Sequence, residues 1–244
     1  MSSACNLDRS GCAQLPCVSV VIPSYNEAGT ICAVVRSALA QSVVQQVIVV
    51  DDGSQDGTWE AIQPVLIEDH RVEGVRHFQN RGKGAALRTG FARAKAAIVL
   101  VQDADLEYSP AEYSILLKPI LEGKADVVFG SRFLGGGSHR VLYYWHSLGN
   151  KIITTLSNMC TNLNLTDIEV GSKAFRREVL EKIRLREDRF GFEPEFTAKV
   201  ARLDGVRIYE VPISYHGRTY AEGKKVNWRD GIAALWHILK YNFF

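Results

Sequence analysis

Asp103 and Asp105 stand two positions apart, directly after a short apolar run at residues 98–101. Carboxylates held that close repel each other unless a cation comes between them. A hard divalent ion, Mg²⁺ or Mn²⁺, suits such oxygen ligands and completes its shell with water and substrate phosphates. The chemistry on offer is neutralisation of a departing diphosphate. The plainer alternative is an acidic turn ahead of a helix that starts at Pro110 with Ser109 as its cap.

Three further clusters have chemical content. Asp51-Asp52-Gly53-Ser54, backed by Asp56-Gly57-Thr58, follows the apolar residues 47–50. A carboxylate there can accept hydrogen bonds from a base edge or a ribose hydroxyl, or the segment is a turn with Asp56 capping a helix. Arg81-Gly82-Lys83-Gly84 puts two glycines around a lysine at a predicted helix start, where backbone donors and the helix dipole favour an anion. It does not match the GxxxxGK[ST] loop of nucleotide triphosphatases. Arg132, His139, Arg140, Arg218, Lys224 and Lys225 suit phosphate contact, or are solvated surface charges. Glu193 and Glu195 follow Phe190-Gly191-Phe192 at a helix start, where the dipole alone accounts for them. Asp167 and Glu169, near Gly171, face either a cleft or solvent.

These residues need a scaffold that gathers them, and the chain's hydrophobic pattern supplies one. Apolar runs at 18–22, 47–50, 75–78, 98–101 and 127–129 alternate with helical spacing at 30–39, 59–68, 81–95 and 110–121. Solid apolar runs between helices predict a doubly wound α/β fold, its sheet mostly parallel and covered by helices on both faces. Ligands of such sheets bind beyond the carboxyl ends of the strands, and each polar cluster follows one of these runs. The last third predicts helices at 142–163, 176–183, 193–203 and 228–241, with strands at 170–175 and 206–213.

Composition narrows the classes. The 244 residues carry a formal charge of +2, with 46% hydrophobic and 23% charged residues, ordinary values for a globular chain and none that favours nucleic acid. The five cysteines are an odd count without a CxxC pair, which argues against zinc and for free thiols in a reducing cytoplasm. No apolar run is long enough to span a membrane. Residues 1–16 read as a polar leader, and 17–244 as a single domain with a nucleotide-binding half, 17–132, and an acceptor-binding half, 133–244. Near the C-terminus Trp228, Ile232, Leu235, Trp236, Leu239 and Phe243 recur at helical spacing beside Lys224, Lys225, Arg229 and Lys240. That stripe either packs on the core or a second subunit, or lies on a membrane surface. The first βα turn, Tyr25-Asn26-Glu27-Ala28-Gly29, lacks the GxGxxG of dinucleotide-binding oxidoreductases.

VIPSYNE, VVDDGSQDGT, NRGKGAALRTG, QDADLEYSP and VFGSRF occur in that order between residues 21 and 133. Together they resemble glycosyltransferase family 2, with the glycosyltransferase-A fold, and most of all its dolichol- or polyprenyl-phosphate mannosyltransferase branch. The resemblance implies that Pro23, Tyr25, Glu27 and Asp52 line the nucleoside pocket, with Asp51 alongside. Gly82 and Lys83 would border the nucleotide. Asp103 and Asp105 match the DxD motif that holds the metal on the diphosphate, and Gln102 and Asp103 would approach the ribose or sugar. Arg132 matches an arginine facing the acceptor phosphate or the donor diphosphate, and Arg140 falls where a second acceptor-side arginine is expected. Arg218 belongs to a late basic loop over the diphosphate, and Lys224 in that loop is assigned to the acceptor phosphate.

The expected activity is inverting, divalent-metal-dependent transfer of a hexose from a donor of the GDP-mannose or UDP-glucose type to a polyprenyl or dolichyl phosphate. A lipid phosphate needs no strong base, only arginines that position it. The alternatives are a soluble hydroxyl acceptor, which needs a base, and a catalytically silent nucleotide-sugar binding module. Asp167, Glu193 and Glu195 are the candidate bases, alongside Asp105 and Arg132 at the reacting centre. A cytoplasmic location, at a membrane face if the acceptor is a lipid, and a homo-oligomer complete the expectations.

Overall fold

The computed structural model describes residues 17–135, 140–141, 143–218 and 228–244. Among them seven strands form one sheet in the order β3-β2-β1-β4-β6-β5-β7. The strands are β1 (Val18–Ser24), β2 (Val44–Asp51), β3 (Val72–Arg76), β4 (Ile98–Val101), β5 (Val127–Ser131), β6 (Lys173–Arg176) and β7 (Ile208–Pro212). The helices are α1 (Ile31–Leu39), α2 (Thr58–Glu68), α3 (Lys83–Phe91), α4 (Tyr113–Leu121), α5 (Tyr144–Thr161), α6 (Arg177–Lys182), α7 (Phe192–Ala201) and α8 (Trp228–Phe243), with a short 3₁₀ turn at Pro110–Glu112 leading into α4.

The central strands read as solid apolar runs because both of their faces are buried. Val18, Val20 and Ile22 of β1, Val47 and Val49 of β2, and Ile98 and Leu100 of β4 meet α1, α2 and α4. The alternate residues, Val21, Ile48, Val50, Val99 and Val101, meet α3, α5, α7 and α8 on the opposite face. Side chains of a strand alternate between faces, so two helical layers make every position apolar. The second face has an aromatic centre, in which the Phe196 ring lies 5.0 Å from Phe175, 5.6 Å from Phe192 and 6.0 Å from Phe129.

Two strands depart from the sequence expectation in ways that matter for the site. β3 pairs with β2 in parallel from Val47↔Val72 to Asp51↔Arg76, so it begins and ends earlier than the predicted 75–78. Phe78 is left fully exposed, and His77 turns inward. β6 runs antiparallel to both neighbours, β4 and β5, with Lys173 opposite Val101 and Phe129. Its entering loop therefore reaches the same sheet edge at which the parallel strands end.

The C-terminal stripe also divides differently. Ala234 and Ile238 form the buried line of α8, whereas Ile232, Trp236, Leu239 and Phe243 are exposed and Leu235 is only partly buried. α5, which packs against α8, exposes Tyr144, Trp145, Ile152 and Met159. No helix among the described residues is long and apolar enough to cross a membrane.

The aromatic centre sets a measurable expectation for the fold. Phe196→Ala should cost about 3–5 kcal/mol of unfolding free energy, read from the denaturant midpoint at an unchanged slope. A loss below about 1 kcal/mol would mean that the four rings do not form one packed unit.

Candidate active site

Strand order reverses between β1 and β4, the place where open α/β sheets bind ligands. A cavity of about 930 Å³ opens there, lined by Pro23, Tyr25, Glu27 and Asp52 from the ends of β1 and β2, Gly82 and Lys83 at α3, Asp103 and Asp105 after β4, and Arg132 after β5. Glu169 and Gly171 from the loop entering β6, Glu193 of α7, and Tyr215 and Arg218 complete the part that bears on chemistry.

The two aspartates are set on one wall by different partners. Asp103 Oδ1 lies 2.9 Å from Lys83 Nζ, and the same ammonium is 3.0 Å from Glu193 Oε1. Burial opposes the lysine's charge, but Asp103 and Glu193 outweigh it and raise its pKa well above the usual value. Asp103 Oδ2 occupies the space where a Cβ at position 171 would stand, so the close approach requires Gly171. Asp105 Oδ2 lies 3.1 Å from Arg218 Nη2, and its Oδ1 accepts the Glu107 N–H at 3.2 Å. Burial, with Asp103 and Glu107 adding to it, pushes the Asp105 carboxyl up to about 7, against the pull of Arg218.

Arg218 ties this wall to the first βα turn. It donates from Nη1 to Glu27 Oε2 at 3.1 Å and from Nη2 to Glu27 Oε1 at 2.8 Å. Its backbone N–H donates to Glu107 Oε1 at 2.7 Å, and the Tyr215 hydroxyl donates to Glu107 Oε2 at 2.9 Å. Glu107 thus pins residues 215–218 over the cavity. It lies within QDADLEYSP, but its role exists only once the two segments meet.

Arg132 is anchored from behind. Asp167 Oδ2 accepts its Nε–H at 2.6 Å, and Asp167 Oδ1 accepts its Nη2–H at 2.8 Å and the Asn150 amide at 3.2 Å. The guanidinium packs between the rings of Phe133 and Tyr215, 5.6 Å and 5.2 Å from their centroids. Burial opposes the charge, and Asp167 more than restores it, leaving the arginine pKa well above its usual value.

Several predicted site residues turn out to serve the scaffold. Asp167 is fully buried under Arg132 and does not line the cavity, so it is not placed to act as a base. Glu195 accepts the backbone N–H groups of Arg186 at 2.7 Å and Glu187 at 2.8 Å, again away from the cavity. Gln102 donates to the carbonyls of Asp103 and Tyr108, and its Oε1 accepts the Tyr113 hydroxyl at 3.1 Å, bracing the turn that carries the aspartates. Asp51 accepts the Ser54 N–H at 3.0 Å and pairs with Arg76 at 3.2 Å, facing away from the cleft. Arg140 is exposed, donates to the Gly217 carbonyl at 2.8 Å and is not among the lining residues. His139, Lys224 and Lys225 lie outside the described residues.

Asp52 reaches the cavity with its carboxylate already engaged. It accepts N–H groups from Arg81 at 3.0 Å and Gly82 at 2.7 Å, and lies 2.7 Å from His77 Nδ1. His77 stands just past the end of β3, within the span 75–78 that the apolar pattern assigns to a strand. The predicted anion site at the start of α3 is also filled by protein. The Ala85 N–H donates to the Asp188 carbonyl at 3.0 Å, and a Cβ at Gly82 or Gly84 would collide with residues 187–189.

Glu169 is the cavity residue that the sequence left undecided. Burial, then Glu193, raise its pKa to about 8, against Lys173 and Arg132. Lys173 is itself fully buried, and burial lowers its pKa to about 8. Its ammonium donates to the Val170 carbonyl and lies 5.4 Å from the centre of the Phe129 ring.

Residues 19–184 match the family model for glycosyl transferase family 2. The chain is 32% identical over 212 residues to polyprenol monophosphomannose synthase of Mycolicibacterium smegmatis, covering 84% of this chain and 79% of that one. It is 33% identical over 249 residues to undecaprenyl-phosphate mannosyltransferase of Micrococcus luteus, covering 91% and 97%. Among solved structures, glucosyl-3-phosphoglycerate synthase from Mycobacterium tuberculosis in complex with Mn²⁺, uridine diphosphate and phosphoglyceric acid superposes with a TM-score of 0.73. That likeness covers 94% of this chain and 80% of the other at 22% identity, and it shows the glycosyltransferase-A fold.

Removing one member of a buried ion pair strands the other. Asp167→Ala should therefore destabilise the protein by about 3–5 kcal/mol in urea denaturation, an effect unlike that of a cleft-facing base. A loss under about 1 kcal/mol would overturn the anchoring role.

Proposed function

The chain belongs to glycosyl transferase family 2, and from that premise we propose that it transfers a hexose from a nucleoside-diphosphate sugar to a polyprenyl-type lipid phosphate, with inversion at the anomeric carbon and a divalent cation on the donor's diphosphate. The observation that carries this reading is the placement of Asp103 and Asp105 together on one cavity wall, with the Asp105 carboxyl raised by burial and by its acidic neighbours Asp103 and Glu107. Among the described residues no cluster of three or more His, Cys, Asp or Glu forms a cage of protein ligands. Two carboxylates without a cage fit Mg²⁺ or Mn²⁺, which keep sites for water and phosphate. Asp103 and Asp105 would hold the ion, which when bound draws off charge developing on the leaving diphosphate.

The protein's own residues account for orientation. Pro23 and Tyr25 offer apolar surface at the end of β1 for a base. Arg218, steadied by Glu27 and Glu107, presents a fixed cation beside Asp105. Arg132, locked by Asp167 and two rings, offers a second fixed cation on the cavity wall. A fixed charge loses little in reorganisation as the reaction proceeds.

The choice of a phosphate acceptor is supported by the two fixed cations and by the places of the candidate bases. Of the three candidate bases for a hydroxyl nucleophile, Asp167 and Glu195 are spent on the scaffold, and one oxygen of Glu193 is paired with Lys83. A phosphate monoester is ionised near neutral pH and needs only positioning. The Mycolicibacterium and Micrococcus relatives, whose names carry polyprenol and undecaprenyl phosphate, support the same choice.

Asp105→Ala should abolish Mn²⁺-dependent binding of GDP-mannose and UDP-glucose, followed by calorimetry, while the circular dichroism spectrum is kept. Unchanged affinity in that variant would count against the assignment. With the wild-type protein and polyprenyl phosphate, labelled hexose should move into the organic phase; label appearing only in water-soluble product would favour a hydroxyl acceptor. Gly171→Ala, which drives a methyl into Asp103, should weaken Mn²⁺-dependent donor binding about 10- to 100-fold. Gly29→Ala, with open space around it, serves as the control.

A further inference from the structure

Beside the two aspartates the cavity has another polar corner, formed by Glu169 from the loop entering β6 and Glu193 from the first turn of α7. Each holds one carboxyl oxygen sealed from solvent without a hydrogen-bond partner, Oε1 of Glu169 and Oε2 of Glu193. Buried polar atoms nearly always find partners, so two orphans at one cavity corner point to partners that arrive with a ligand. Glu193 is only 3% exposed, and its other oxygen pairs with Lys83 at 3.0 Å.

The charge of the corner selects the ligand. Lys173, Arg132 and Lys83 act from behind or to the side, while Glu193 and Asp167 add negative charge. A phosphate would meet carboxylate here and be repelled. A hydroxyl both donates and accepts, and it suits a protonated carboxyl beside an ionised one. Lys83 joins Asp103 to Glu193, so the corner adjoins the place where the donor's diphosphate would lie. The group attached to that diphosphate is the hexose.

We propose that Glu169 and Glu193 form a hydroxyl-binding subsite for the transferred hexose, with Glu169 donating and Glu193 accepting. This rests on the reading that Asp103 and Asp105 carry the donor's diphosphate. Burial and Glu193 hold the proton on Glu169 up to a pH of about 8, against Lys173 and Arg132, which supplies the donor at neutral pH.

The test compares hexosyl nucleotides with the bare nucleotides. Calorimetric titration of the full chain with Mn²⁺ uses UDP-glucose and GDP-mannose against UDP and GDP. Glu169→Ala should weaken the preferred hexosyl nucleotide about 10- to 100-fold while the matching nucleoside diphosphate changes by no more than about twofold. Glu169→Gln, which keeps a donor, should recover most of that loss at pH 7. It should also abolish the fall in hexosyl nucleotide affinity expected of the wild type above pH about 8. Equal weakening of sugar-bearing and bare nucleotides by Glu169→Ala, or no weakening of either, would overturn the subsite. So would a glutamine variant that loses as much as the alanine one. Failure of the wild type to bind any of the four ligands with Mn²⁺ would instead sink the donor reading, and the subsite with it.

Discussion

The carboxyl edge of the sheet gathers more negative charge than it could hold unaided. Glu27, Asp103, Asp105, Glu107, Glu169 and Glu193 arrive from four separate segments, and like charges in a desolvated cleft repel. Two cations keep them in place. Lys83 bridges Asp103 and Glu193, and Arg218 bridges Glu27, Asp105 and Glu107. The compensation is incomplete: burial, then acidic neighbours, still raise the carboxyls of Asp105 and Glu169. The two deficits differ in character. At Asp105 the neighbouring Asp103 makes a metal the natural remedy, whereas Glu169 relieves its own deficit by keeping a proton. Under the proposed function, one edge would take a cation at one point and a neutral hydroxyl at the next.

The topology that allows this turns on β6. A wholly parallel sheet would present only strand exits at this edge. An antiparallel strand between β4 and β5 presents its entry instead, bringing Asp167 under Arg132, Gly171 against Asp103 and Glu169 into the cavity. The ladder between Val101 and Lys173 fixes that register, so a slip of one residue would turn Lys173 out of the core and lift Gly171 off Asp103. Lys173 is a costly residue to bury, and its ammonium is satisfied locally by the Val170 carbonyl, holding the same loop from within.

Much of this was legible in the chain. The solid apolar runs gave away the double covering of the sheet, and the clusters at Asp103, Lys83, Arg132 and Arg218 reach one cavity as their place after strands or beside helices suggested. What failed shares a cause. A carboxylate pattern states that an acid is present, not which donors it will meet. Asp52 looked available for a ligand and is occupied by Arg81, Gly82 and His77; Asp167 and Glu195 looked like bases and are consumed by Arg132 and by the backbone of residues 186–187. Those partners lie between 8 and 35 positions away, beyond any local periodicity. The direction of β6 was equally hidden, since a strand of four residues, Lys-Ala-Phe-Arg, reads the same either way.

The start of α3 shows how the two halves of the chain depend on each other. Its glycines appear made for an anion, yet the segment 187–189 lies on them and its carbonyl at Asp188 takes the Ala85 N–H. That segment is held in turn by Arg88 of α3 and by α8, where Lys240 Nζ and the Tyr241 hydroxyl reach Glu187 Oε1 at 2.7 Å and 2.6 Å. The helix dipole is thus answered by the protein itself, and the glycines serve to admit backbone rather than phosphate. Lys83 is left directed at Asp103 and Glu193, as a brace for the acids rather than a bare anion ligand. Any shift of α8 on its exposed apolar side would be felt at Glu187, then at α3, and then at the lysine that joins Asp103 to Glu193.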